Sequence, residues 1–114
     1  FNTVDLSDDR LPSKEEIFGI VDGDEAVAYT KNYLRQVGVE NVSVGDKRIV
    51  LAHIPEHDTI VAFDRIVNGE ELEVTAVDYF GNTEDHGLLQ RAFVNNGPMW
   101  AVWVHHYPET RLVK

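Results

Sequence analysis

Residues 59–77 read TIVAFDRIVNGEELEVTAV, and this stretch carries the strongest indication of the fold. Asn68-Gly69 separates two runs rich in β-branched residues, Thr59–Val67 and Glu70–Val77. Both central residues of a type I′ turn need a positive φ, which asparagine and glycine adopt readily. Asn-Gly between two such runs therefore predicts a β-hairpin with a two-residue turn.

The two-residue turn also determines which residues of this hairpin face each other. One face is mostly apolar and pairs Val67 with Glu70, Arg65 with Leu72, Phe63 with Val74 and Val61 with Ala76. The other face pairs Ile66 with Glu71, Asp64 with Glu73 and Ala62 with Thr75. Like charges directly opposite each other are unfavourable. We therefore expect Asp64 and Glu73 to face water, to receive a cation such as Arg48, or to belong to a site.

Arg65 lies on the apolar face in this register, although its guanidinium cannot lose its charge in a protein. We expect it to pair with a buried or half-buried carboxylate, such as that of Asp78 or Asp46. Replacement of Arg65 by leucine would then leave that carboxylate without a partner.

Two further turns that contain glycine lie earlier in the chain. Asp22-Gly23 separates Ile17–Val21 from Glu25–Tyr29, and Gly45-Asp46 separates Val42–Val44 from Lys47–Ile54. When the register of the Asn68-Gly69 hairpin is extended through the loop at residues 55–58, His53 faces Ile60.

The three turns at Asp22-Gly23, Gly45-Asp46 and Asn68-Gly69 together predict a mainly β fold. We expect an antiparallel meander of six or seven strands that forms a curved sheet, a barrel or a sandwich.

The helical content is expected to be small. Thr30–Val37 is predicted to be a helix, because Leu34 and Val37 share a face with Tyr33 and Gly38 suits a C-terminal cap. A second short helix is predicted within Glu84–Phe93, and a last strand over Met99–Tyr107 is expected to end at Pro108. Residues 1–16 are polar and predict an irregular lead-in to a single β-rich domain at residues 17–114.

The composition excludes several classes of protein. The 114 residues include 20 acidic and 10 basic ones, for a net charge of −10. Nucleic acid is not expected as a partner, because phosphate binding needs clustered cations and the basic residues here are scattered. Membrane insertion is not expected either, since no apolar run approaches the roughly 18 residues of a membrane-spanning helix. A protein partner or a homo-oligomer is compatible with this surface.

The lack of cysteine excludes disulfides, thiolate metal sites and cysteine nucleophiles. Histidine is the most prominent functional residue type, with five in the chain. Neutral imidazole binds transition metals such as zinc or copper, and three or four converging ligands make a site. His53 at a strand end and His57 in the next loop are candidate ligands, together with one of His105 and His106, which point to opposite faces of a strand. The alternative is that each histidine is held separately by a local hydrogen bond.

Two other pairs of residues are candidates for a ligand site or a structural role. Asp64 could act in acid–base catalysis with Glu73 or with Arg65, and the alternative is a solvated face of the sheet. Trp100 and Trp103 are expected on opposite faces of the last strand, so one would enter the core and the other cover the sheet or line a cleft. A serine nucleophile is not supported, because none of the three serines lies in a Gly-x-Ser-x-Gly turn.

A series of short motifs runs through most of the chain. They are Asp22-Gly23, Ala26-Val27-Ala28-Tyr29, Val39-Glu40-Asn41, Val44-Gly45-Asp46, Pro55, Ala62-Phe63-Asp64-Arg65, Met99-Trp100-Ala101-Val102-Trp103 and Tyr107-Pro108-Glu109-Thr110. Together they resemble the domain-of-unknown-function family 3179, which is widespread in bacteria and archaea. The family's two cysteines fall on Ile54 and His57, so a thiol function does not carry over, although His57 keeps one metal-binding group.

The resemblance implies an extracytoplasmic location, because members of that family are often attached to export signals, and the start at Phe1 is compatible with export. It implies no particular activity. The sequence therefore favours a binding or interaction domain without an assignable catalytic activity, which predicts an exposed apolar or aromatic patch on the order of several hundred Å². The alternatives are a metal-binding protein that uses the histidines and a small enzyme that uses Asp64 with Arg65.

Overall fold

The computed structural model describes residues 10–11 and 15–114, apart from the side chains of residues 95–98. The predicted lead-in at residues 1–16 lies mostly outside the described residues. The elements are, in chain order, β1 Glu16–Asp22, β2 Glu25–Thr30, α1 Lys31–Val37, β3 Val39–Val44, β4 Lys47–Ile54, β5 Thr59–Asp64, β6 Ile66–Val67, β7 Glu70–Glu71, β8 Asn82–Thr83, β9 Gly87–Leu88, β10 Asn95–Met99, α2 Trp100–His106 and β11 Arg111–Val113. The fold is mainly β, as predicted.

The first sheet has the strand order β10-β1-β2-β11. β1 and β2 form the predicted hairpin, but Asp22 faces Glu25, so the two-residue turn is Gly23-Asp24 rather than Asp22-Gly23. Gly23 has a φ of 62°, which suits glycine. The outer strand β11 runs parallel to β2, so the prediction of purely antiparallel pairing is wrong at this edge.

The second sheet has the order β3-β4-β5 and is antiparallel throughout. Val44 faces Lys47 across the predicted Gly45-Asp46 turn. His53 faces Ile60, which confirms the register extended from the later turn. The sheets formed by the described residues are small and none is closed, so the single long meander is not formed.

The hairpin at residues 59–77 is formed only next to its turn. Asn68 and Gly69 have φ values of 53° and 80°, as a type I′ turn requires. Val67 faces Glu70 and Ile66 faces Glu71, and Leu72 donates its N–H to the carbonyl of Arg65 at 2.7 Å. Beyond this point the predicted pairs are wrong: Phe63 with Val74, Val61 with Ala76, Asp64 with Glu73, and Ala62 with Thr75.

Residues 90–92 occupy the edge of β5 in place of the predicted partner. Asp64 donates its N–H to the carbonyl of Gln90 at 2.8 Å, and Ala92 donates to the carbonyl of Ala62 at 3.0 Å. Val74 instead exchanges two hydrogen bonds with the side chain of Asn41 on β3, at 2.8 and 3.0 Å. The edge of a strand has only one set of hydrogen-bonding groups, so these two segments compete for it.

α1 agrees with the predicted helix and with its predicted C-terminal cap at Gly38, and Thr30 precedes the helix as its N-cap rather than as its first residue. The Thr30 hydroxyl accepts a hydrogen bond from the Tyr33 N–H at 3.1 Å. Gly38 has a φ of 81° and donates its N–H to the carbonyl of Leu34. The helix predicted within Glu84–Phe93 is wrong, because β8 and β9 form a short hairpin there.

The strand predicted over Met99–Tyr107 is also wrong, because α2 occupies most of this segment. Trp100, Trp103 and Val104 stand at helical spacing and are buried together. The two tryptophans therefore share one face and both enter the core, rather than lying on opposite sides of a strand. Across the described residues, α2 and α1 are both too short to cross a membrane.

Three apolar clusters connect these elements into layers. The first joins Phe18 and Val27 of the first sheet with Val42 and Leu51 of the second. The second covers the outer face of the second sheet, where Leu72 and Leu89 pack on residues of β4 and β5. The third joins α2 to the opposite face of the first sheet. Consecutive residues of β1 and β2 thus alternate between two clusters, as strand geometry requires.

Candidate ligand-binding cleft

A cleft of about 440 Å³ opens at the end of β4. Residues 53–57 form one wall, and residues 77–80 form the other. The lining is mostly apolar or aromatic with a few polar groups, which is the usual composition of a small-molecule site.

Three rings stand in contact along this cleft. The ring centroids of Tyr79 and Phe80 are 5.2 Å apart and nearly perpendicular, at 89°. The imidazole of His57, from the opposite wall, lies 6.0 Å from Tyr79 at 62°. Tyr79 is 39% exposed and Phe80 is 69% exposed, so this aromatic surface faces solvent.

Arg91 holds Tyr79 against the body of the protein. Its Cζ lies 5.0 Å from the centroid of the Tyr79 ring and 5.5 Å from that of Phe63. Its Nη2 also donates to the backbone carbonyl of Tyr79 at 3.1 Å. Because Phe63 is fully buried, this cation contact links an exposed ring to the core.

The turn that carries the two rings is built around Asp78. Its Oδ1 accepts hydrogen bonds from the N–H groups of Phe80 and Asn82 at 2.9 and 2.8 Å, and its Oδ2 accepts one from Asn82 Nδ2 at 3.0 Å. These bonds lower the pKa of Asp78, and the bond from the Asn82 side chain makes the largest contribution. Gly81 follows with a φ of 97°, and a Cβ there would lie 2.8 Å from the carbonyl oxygen of Leu89. The close approach requires glycine.

The opposite wall is tied to α1 through Asp58. Arg35 donates to both carboxylate oxygens of Asp58, at 2.9 and 2.8 Å, and His53 Nε2 lies 2.8 Å from Oδ1. Lys31 Nζ is 3.7 Å from Oδ2. The hydrogen bond from Arg35, followed by that from His53, holds the pKa of Asp58 well below its usual range. Both walls are therefore held in place by polar contacts within the protein.

The candidate metal ligands are divided between two parts of the fold. His53 and His57 line the cleft. His105 and His106 are exposed at the end of α2, whose buried face belongs to the first sheet. Among the described residues, no group of three or more histidine, aspartate or glutamate side chains is arranged to hold a metal ion. Binding of zinc or copper stays a prediction.

Asp64 lies in a second, more polar cavity of about 530 Å³, which Asp46, Lys47 and Arg48 also line. The carboxylate of Asp64 is exposed, and Glu73 does not face it. Arg48 is paired with Glu71, at 3.2 Å, rather than with Asp64. A catalytic role of Asp64 stays a prediction as well.

Arg65 is buried as expected, but its partners differ from those predicted. Its carboxylate partner is Glu71, at 3.1 Å, rather than Asp78 or Asp46. Its other four N–H groups donate to Val42 O, Ser43 Oγ, Ile49 O and Leu72 O at 3.0–3.2 Å. All five donors of the guanidinium are thus used within the protein.

Tyr79 and Phe80 were not among the residues predicted to form a site. The only local signal is Asp78-Tyr79-Phe80-Gly81, since aspartate followed closely by glycine favours a turn. Adjacent aromatic residues in such a turn cannot both be buried easily, which would have marked the segment as exposed.

The comparison with protein families matches residues 1–110 to a family described as "Protein of unknown function (DUF3179)". The comparisons with curated proteins and with solved structures gave no match. The match covers nearly all of the 114 residues and includes every motif on which the resemblance was based. The chain therefore belongs to the DUF3179 family.

Proposed function

We propose that the protein is a binding domain and that the cleft between residues 53–57 and 77–80 holds a small ligand. The observation that carries this proposal is the exposure of Phe80, 69%, on a turn that is held by Asp78 and Arg91. An aromatic side chain kept at the surface on a well-defined turn does not stabilise the core. Exposed apolar surface next to polar groups is typical of an interaction site.

The two walls favour binding because they are organised before a ligand arrives. The Asp58 contacts fix one wall and the Asp78 contacts fix the other. A ligand therefore need not order these segments, and the entropic cost of its binding is smaller.

Two of the titratable groups in the cleft are engaged in fixing its walls, which favours binding over proton transfer by these groups. His53 is engaged with Asp58, and the carboxylate of Asp78 accepts the hydrogen bonds of its own turn. A general acid or base must reach the proton that it transfers, and these two groups are already occupied.

An NMR titration with a mixed set of neutral, anionic and cationic small fragments tests the proposal. We expect amide shifts at residues 53–57 and 77–80, and loss of these shifts in Phe80→Ala. Phe93→Ala is the matched control, because Phe93 is 95% exposed and lies outside this cleft. The proposal would be contradicted if fragments shift only the amides that line the Asp64 cavity, or if no fragment shifts the amides of either cavity.

A further inference from the structure

We propose that the ligand of this cleft is a free quaternary ammonium cation of about the size of choline. The inference rests on the function proposed above and names the chemical class of the ligand. It follows from the combination of exposed rings and carboxylates on the two walls, together with the charge of the whole protein.

The rings supply the surface that a bulky cation prefers. A cation is attracted to the face of an aromatic ring within about 6 Å of its centroid, and quaternary ammonium groups are recognised by clusters of such rings. Tyr79 and Phe80 stand nearly perpendicular at 5.2 Å, so their faces bound a corner rather than a flat surface. His57 adds a third ring from the other wall.

The same ring set already carries one cation contact. Arg91 lies over Tyr79 and over the buried Phe63, so it covers the side of Tyr79 that is turned towards the core. Phe80 keeps most of its ring surface open to solvent. A second cation would therefore be bound mainly by Phe80 and His57, at the outer side of Tyr79.

The charges in the cleft favour a cation over an anion. Residues 53–57 and 77–80 include the carboxylates of Glu56 and Asp78 and contain no lysine or arginine. Among the described residues, the carboxylate of Glu56 has no hydrogen bond or ion pair, whereas Lys31 and Arg35 are paired with Asp58. The net charge of −10 further attracts cations towards the protein.

The size of the cleft is sufficient for a ligand of this kind. A cavity of about 440 Å³ admits a small molecule, and the hydroxyl of choline would face the polar part of the wall near Glu56. A quaternary ammonium has no N–H donors, so it requires rings and diffuse negative charge rather than directed acceptors.

The experiment compares choline with 3,3-dimethylbutan-1-ol, its neutral isostere of nearly the same shape, by NMR titration of the whole chain. We expect choline to bind with shifts at residues 53–57 and 77–80, and the neutral alcohol to bind at least about threefold more weakly. Choline binding should also weaken as the salt concentration rises, because partly exposed charges are screened.

Two pairs of variants separate the contribution of the ring from that of the charge. Phe80→Leu keeps an apolar side chain without a π face, and we expect about threefold to tenfold weaker choline binding. Glu56→Gln should weaken choline binding without changing that of the neutral alcohol. Phe93→Leu and Glu109→Gln are the controls, because both residues are exposed and lie outside the cleft.

Equal affinities for choline and the neutral alcohol would overturn the cation proposal, as would unchanged choline binding in Phe80→Leu. If neutral fragments shift the cleft while choline does not, the binding function stands and the ligand class is wrong. If neither shifts the cleft, both proposals fail.

Discussion

Glu71 accepts a hydrogen bond of 3.1 Å from Nη1 of Arg65, and the two side chains differ sharply in exposure, 53% for the carboxylate and 4% for the guanidinium. The remaining acceptors of Arg65 are mainly backbone carbonyls from three separate segments. Arg65 thus acts as a polar junction between β3, β4 and the segment after β7. The carboxylate contributes at the solvent end of this junction.

Replacement of Arg65 by leucine is therefore expected to destabilise the fold by roughly 2–4 kcal/mol, because buried carbonyls lose their donors. Glu71→Gln keeps an acceptor oxygen at an exposed position and should cost clearly less. Urea denaturation of the two variants measures both free energies of unfolding. An equal loss of unfolding free energy in the two variants would show that Arg65 stabilises the fold mainly through the ion pair and not through the carbonyl contacts.

The Asp58 contacts predict a specific dependence of stability on pH. The folded-state pKa of Asp58 is lowered by Arg35 and His53, so the folded protein favours the ionised form more than the unfolded chain does. This stabilisation is fully present above the unfolded pKa of about 4 and is lost as the pH falls through the folded pKa. We expect the free energy of unfolding to fall below about pH 4, and to fall less steeply in Asp58→Asn.

Asparagine is a suitable replacement because Asp58 has a φ of 47°, which asparagine tolerates. Glu71 and Asp78, whose pKa values are also lowered, remain in both proteins and contribute the same background. Parallel curves of the free energy of unfolding against pH for the wild type and Asp58→Asn would contradict the role assigned to these contacts.

The parts of the fold that local chemistry determines could be predicted from the sequence. Asn68-Gly69 and Gly45-Asp46 specify their turns through backbone conformations that few residues adopt. Pairing beyond a turn depends on which distant segment forms the more stable contacts with the strand edge, and nothing within residues 59–77 shows that residues 90–92 occupy it. This long-range competition explains why the predicted pairing of Phe63 with Val74 is wrong and why Phe63 faces Arg91 instead.

The helix α2 shows a different reason for failure. Its sequence WAVWVHH is rich in residues that favour strands, and local propensity alone predicts a strand. The spacing of Trp100, Trp103 and Val104 fits one helical face, and burial of that face against the first sheet outweighs the propensity. Tyr79 and Phe80 were missed because the signal for their exposure lies in the turn Asp78-Tyr79-Phe80-Gly81 and not in the aromatic residue type itself.

The two tryptophans of α2 should respond differently to replacement by phenylalanine. Nε1 of Trp103 donates to the hydroxyl of Thr110 at 3.0 Å, whereas Nε1 of Trp100 is buried with no hydrogen-bond partner among the described residues. Trp103→Phe removes a buried hydrogen bond and leaves Thr110 with one fewer partner, at a cost of about 1–3 kcal/mol beyond the lost volume. Trp100→Phe removes an unsatisfied donor and should cost less.

Thermal and urea denaturation of Trp100→Phe and Trp103→Phe check this order. Both changes remove the same atoms from positions that are at most 3% exposed. The difference between the two losses therefore combines the hydrogen bond of Trp103 with the ring contacts of each side chain, Arg10 over Trp100 and Tyr107 against Trp103. A larger loss for Trp100→Phe would show that its packing outweighs the penalty for its unpaired N–H.

Gly19 provides a test of how closely α2 packs on β1. A Cβ at this position would overlap the ring of Trp103, which is itself only 3% exposed and cannot move freely. We expect Gly19→Ala to destabilise the fold by about 1–3 kcal/mol, as is typical of an overpacked core. In the double variant Gly19→Ala/Trp103→Phe the smaller ring relieves the overlap, so the combined loss should be less than the sum of the two single losses. Strictly additive losses in urea denaturation would mean that β1 and α2 shift apart and that Trp103 does not determine their spacing.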